Sequence, residues 1–135
     1  MNESQAKKVG RHHYKDHLSR AQQSLDVAKY AFEQGKWDAC AINCVQAGIS
    51  ASDAYCIFKL SLHNASQRHD DAIKLFSSID PANETHKTNA NRLRHLLSEK
   101  SGSAYGEQPV KKNEAEYLLT EAGRLLNYVK SKMPE

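Results

Sequence analysis

Long hydrophobic runs are missing from this chain. Nowhere do about 18 apolar residues follow one another, so no membrane-spanning helix is expected. The opening residues, MNESQAKKVGRHHYKDH, lack the apolar centre of a secretory signal, and none is read there. Proline and glycine are scarce, at three and six residues, which fits an ordinary folded chain. Cysteine is scarce and odd in number. Cys40, Cys44 and Cys56 all fall in one predicted helix, which speaks against a disulfide framework and for a reduced, cytoplasmic protein. Also missing are a glycine-rich phosphate loop, zinc-ribbon spacing and a serine nucleophile elbow. No internal repeat or low-complexity segment appears.

What is present is enough for one domain. The 135 residues, 39% hydrophobic and 26% charged, can bury a core without a disulfide or structural metal. Residues 1–10 read as a flexible tail on a single domain covering 1–135. The net charge of +3 is unevenly placed: residues 1–36 carry +3, 37–80 carry −2 and 81–135 carry +2. That mild basic bias at both ends permits an anionic partner and falls far short of a DNA-binding arm.

Helical periodicity dominates. Tyr14, Leu18, Ala21, Leu25, Ala28 and Phe32 recur three and four residues apart, an amphipathic stripe that Gly35 ends. Trp37 opens a second helix reaching about Leu62, with Asp38 in its first turn, where the macrodipole favours an anion. A short third helix follows Ser66 as N-cap, with His69, Ile73, Phe76 and Ile79 on one face, and Asp80-Pro81 stops it. A fourth runs from near Asn83 to Lys100. A fifth, about Lys112 to Lys132, buries Ala115, Leu118, Leu119, Ala122, Leu125, Leu126 and Val129. No alternating stretch reads as a strand. The expected fold is all-α, an up-down helical bundle of four long helices plus one short helix.

The stretch CAINCVQAGISASDAYC, residues 40–56, has one charge and little apolar bulk. Cys40, Cys44, Gly48 and Ser52 fall four apart, a narrow groove that lets neighbouring helices approach closely. This helix is expected at the bundle centre. Its charge, Asp53, shares a face with Ile42, Gln46, Ile49 and Ile57, and there it needs a partner or its pKa rises. Two roles stay open for it: a structural polar contact, and a ligand or catalytic carboxylate. His69 is one candidate for its partner.

His13 and His17, four apart in HHYKDH, can clip a transition metal, but no third ligand is in register and no metal or cofactor is expected. Cys40 and Cys44 share that spacing and are expected buried as small hydrophobes. Helix four and the loop after it carry His86, Lys87, Arg92, Arg94, His95, Lys100, Tyr105, Lys111 and Lys112. Such a basic surface beside an aromatic can hold phosphates and stack a base. A solvated charged face interspersed with Glu84 and Glu99 explains most of the same residues.

The ordered blocks WDACAINCVQAGISASDAY, RHDDAIKLF, LRHLLSEKSGSAYG and AEYLLTEAGRLLNYV, spread from about Tyr14 to Met133, resemble the HEPN domain (higher eukaryotes and prokaryotes nucleotide-binding). The resemblance implies four long helices plus a short one, usually dimeric, acting on RNA in several branches or accompanying a minimal nucleotidyltransferase in toxin–antitoxin pairs. Nuclease branches carry Arg and, four to six residues on, His in a late helix. Here no His follows Arg92 or Arg94 at that distance, His95 being too close, and Arg11 with His17 fits the spacing only in the first helix.

The resemblance therefore points to a non-catalytic HEPN-like module, expected as a homodimer that binds nucleotide, RNA or a partner such as a nucleotidyltransferase. Asp53, His69, Arg94, Lys100 and Tyr105 are its expected ligand-binding residues. A divergent metal-independent ribonuclease using His69 or His95 with Asp53 and Arg94 is the alternative from a different class. A third is a structural interaction domain with no nucleic-acid role.

Overall fold

The stripe beginning at Tyr14 becomes helix α1 (Tyr14–Glu33), which buries Ala21, Leu25, Ala28 and Ala31 and packs Leu18 and Phe32 at the core's edge. This is seen in a computed structural model that describes residues 6–66, 68–101 and 108–134. Gly35, at φ 72°, takes the left-handed conformation that turns the chain into α2 (Trp37–Leu60).

Helix α2 is the centre of the bundle. It packs against α1 and against three further helices, α3 (His69–Ser77), α4 (Glu84–Ser101) and α5 (Lys112–Ser131). Cys40, Ala41, Cys44, Val45, Ala47, Gly48 and Ala51 are almost wholly buried. The small residues serve proximity: a Cβ added at Gly48 would lie 2.7 Å from Leu96 Cδ1 of α4. The three cysteines are buried and free, as expected of small hydrophobes. Burial pushes the Cys56 thiol well above its ordinary pKa, which keeps it protonated and unreactive. Asp38 does more than meet the helix dipole. Its Oδ1 accepts a hydrogen bond from the Val110 backbone N–H at 2.8 Å, tying the start of α2 to the segment entering α5.

Three expectations need correction. Helix α2 stops at Leu60 because Ser61 adopts φ 55°, and the chain turns into a strand, β2 (Leu62–Asn64). That strand pairs antiparallel with β1 (Ala6–Lys8), with Lys7 opposite His63. No strand was expected, and residues 1–10 were expected to be a tail; from Ala6 onward they are built into the fold. Backbone hydrogen bonds hold this ribbon, extended by Val9 N–H donating to Ser61 O at 2.9 Å. A 3-10 turn, Arg11–His13, then leads into α1.

Helices α4 and α5 begin with polar side chains that accept from backbone N–H groups of the first turn or the cap. Asn83 Oδ1 accepts from His86 N–H at 2.9 Å at the start of α4. Glu114 Oε1 accepts from Lys111 N–H at 3.2 Å at the start of α5. Ser66 lies further from α3 than a cap would. It instead stabilises the loop, accepting from Arg68 N–H at 3.0 Å and donating to Asp71 Oδ2 at 2.6 Å. Among the described residues the fold is thus all-α, four long helices and one short one, with a single two-stranded ribbon. No helix there is long and apolar enough to cross a membrane.

Candidate functional site

Asp53 sits on α2 two turns before its end, its side chain 17% exposed, and its partner is His63. The His63 Nε2 lies 3.3 Å from Asp53 Oδ2. The hydrogen bond His63 donates to Asp53 raises the His63 pKa above its ordinary value, with the carboxylate's charge adding to the effect against burial. His17, on the first turn of α1, places its ring 5.0 Å from that of His63. Burial lowers its pKa, and the Asp53 charge only partly offsets this. His17, Asp53 and His63 thus meet from α1, α2 and β2, each offering a ligand atom within 4.8 Å of the others.

On its other side Asp53 lines a pocket of about 170 Å³ between α2, the β2–α3 loop and α4. Ile49, Leu93 and Leu97 supply its apolar lining, and Asp53, Asn64, Ser66, Arg68 and His69 its polar lining. The loop is fixed internally: Ser66 N–H donates to Asn64 Oδ1 at 3.2 Å, and Ser66 also joins the Arg68 backbone to Asp71. A pocket with one carboxylate, one guanidinium and one imidazole on an apolar floor can accept hydrogen bonds from a base or ribose and donate to a phosphate.

Two of the residues singled out in the sequence, Asp53 and His69, therefore meet in one pocket. Arg94 does not join them. It is exposed on α4 and donates to Asn91 Oδ1 one turn away. Tyr105 lies outside the described residues, as does the side chain of Lys100. His13 pairs with Asp16 at 3.5 Å, so His13 and His17 part company. Arg11, which has nuclease-like spacing to His17, stacks its guanidinium 4.1 Å above the Phe58 ring.

The basic face of α4 is smaller than its sequence implies. His86 is only 1% exposed, its ring nitrogens each 2.8 Å from Phe76 O and Tyr128 Oη. Arg92 Nε pairs with Glu121 Oε2 of α5 at 3.3 Å. His95 Nδ1 lies 2.8 Å from Glu121 Oε1, and Tyr117 Oη donates to that same oxygen at 3.0 Å. Burial alone would raise the Glu121 pKa, but the bonds from His95 and Tyr117 and the charges of His95 and Arg92 outweigh it and hold it low. His95 thus engages α5 through Glu121, while the contacts of Asp53 lead to β2 and those of Arg94 stay within α4.

His63, Asn64, Ser66, Arg68 and Glu121 were missed as site residues. Arg68 had a local signal, adjacent to His69 in SQRHDD. His63 and Glu121 had none: His63 fell between the two expected helices, and Glu121 meets His95 and Arg92 only where α4 packs on α5.

The HEPN domain family model matches residues 14–132, and the chain belongs to the HEPN family. Comparisons with curated proteins and with solved structures give no match.

Proposed function

We propose that this HEPN domain is a non-catalytic binding module that takes a nucleotide unit, free or within single-stranded RNA, in the pocket beside Asp53. The observation that carries the reading is the convergence of Asp53, Arg68 and His69 on an apolar floor of Ile49, Leu93 and Leu97. A pocket of about 170 Å³ suits one base or one sugar-phosphate rather than a longer segment. Arg68 and His69 would meet the phosphate and Asp53 a hydroxyl or amino group. The module is proposed to work as a homodimer alongside a nucleotidyltransferase of the toxin–antitoxin type, as its family membership supports.

The test is a titration of labelled single-stranded RNA at low and moderate salt, with each sample also run on a denaturing gel. Salt-sensitive binding of intact RNA, weakened by Arg68→Ala, is the expected outcome. RNA neither bound nor cut would direct the search to a protein partner instead. Sedimentation equilibrium should give twice the 15.2 kDa of one chain.

One observation favours a second reading. His95 is oriented by the Glu121 carboxylate beside Arg92, an arrangement fit for acid–base cleavage of RNA without a metal. Shortened RNA, with cutting abolished by His95→Ala, would establish that reading and sink the first.

A further inference from the structure

We propose that His17, Asp53 and His63 form a binding site for one first-row transition-metal dication, with Zn(II) the best match, in which three protein ligands leave a coordination position open.

The geometry is that of three ligand atoms gathered slightly wider than a closed metal shell. The three ligand atoms lie within 4.8 Å of one another, and the Asp53 Oδ2–His63 Nε2 separation is 3.3 Å. Zinc bonds of about 2.0 Å in tetrahedral array set ligand atoms about 3.3 Å apart. The Asp53–His63 pair therefore already spans one edge of the coordination tetrahedron. A hydrogen bond accounts for that pair but not for the second imidazole, whose ring stands 5.0 Å away at an interplanar angle of 55°. Two imidazoles around one carboxylate is a recurring metal-ligand set.

Donor chemistry selects the ion. Calcium and magnesium prefer all-oxygen shells, whereas imidazole with a single carboxylate suits Zn(II), Co(II), Ni(II) or Fe(II). With His63 34% and Asp53 17% exposed, solvent can reach the cluster, as expected of three protein ligands plus an open position rather than a closed structural site. The scaffold is well fixed. His63 is held by its pairing opposite Lys7 in the ribbon, and the other two ligands stand on long helices.

The inference shares Asp53 with the nucleotide pocket, but its readout needs no RNA, so the two can fail separately. Tag-free protein stripped with a chelator is titrated with Zn(II) against a chromophoric competitor, and in parallel with Co(II). One Zn(II) per chain and the intense visible bands of four- or five-coordinate Co(II) are expected. His17→Gln and His63→Gln should each weaken binding about tenfold or more. His13→Gln, whose imidazole pairs with Asp16 instead, should leave binding unchanged. Should His63→Gln fail to fold, the wild-type protein still decides: the ring resonances of His17 and His63 must move on adding Zn(II). An unchanged aquo-Co(II) spectrum, equal affinity in wild type and His17→Gln, or shifts confined to His12 and His13 would overturn the proposal.

Discussion

The Asp53 carboxylate and the His63 imidazole, on either side of the left-handed turn at Ser61, lie 3.3 Å apart and join the central helix to the ribbon. The pair has a pH signature. Because the folded His63 pKa is raised, its stabilisation is fully present below the unfolded value of 6.5 and fades as pH rises through the folded pKa. Asp53→Asn should therefore lower the His63 pKa, read from its ring resonances with chelator present. The stability gap between wild type and this variant should be widest below pH 6.5 and narrow over the range in which pH rises through the folded His63 pKa. A gap that stays constant over that range would mean the pair does not act through charge.

Glu121 has the opposite sign. Its folded pKa lies below the ordinary 4.5, so its contribution is present above that value and lost as pH falls through the folded pKa. Glu121→Gln is expected to cost about 1–3 kcal/mol at neutral pH, as the partners His95, Tyr117 and Arg92 lose a charged acceptor. The cost should vanish in strong acid. Urea unfolding at the two pH values checks this.

Two glycines in long helices should respond in opposite directions. Gly48→Val drives a branched side chain into Leu96, whose Cδ1 would lie 2.7 Å from the new Cβ, and should cost about 2 kcal/mol by overpacking. A Cβ at Gly123 meets nothing within 4 Å, so Gly123→Ala should gain up to about 1 kcal/mol of helix propensity. Thermal unfolding of both variants reads the contrast.

His86→Phe should destabilise by about 1–3 kcal/mol, since it leaves the Phe76 carbonyl and the Tyr128 hydroxyl without their shared partner. Denaturant unfolding measures it, and an unchanged midpoint would mean the two groups find other partners.

The helices were legible because their signal is local. Tyr14 to Phe32 repeats at helical spacing, and CAINCVQAGISASDAYC announces a surrounded helix by its lack of charge. The ribbon was not legible: Ala6–Lys8 and Leu62–Asn64 are three residues each, mostly polar, and paired through backbone across more than fifty positions. With β2 unseen, His63 stayed in a loop and Asp53 was matched with His69, the nearest helical histidine. His86 was read as part of a basic surface with Lys87, Arg92 and Arg94. The stripe Leu93, Ala90 or Asn89, His86, at spacings of three and four, carried the correct answer, and all of these are buried. The Asp53 pocket was half legible. The lone carboxylate and His69 stood out, but Arg68 and Asn64 acquire meaning only once the loop folds over α2.

The most direct measurement is amide chemical-shift mapping of isotope-labelled protein titrated with a nucleoside monophosphate. Shifts are expected to cluster at Asp53, Asn64, Ser66, Arg68 and His69, with loss of binding in Arg68→Ala. Shifts gathered instead around His95, Tyr117 and Glu121, or none at saturating nucleotide, would contradict a ligand site beside Asp53.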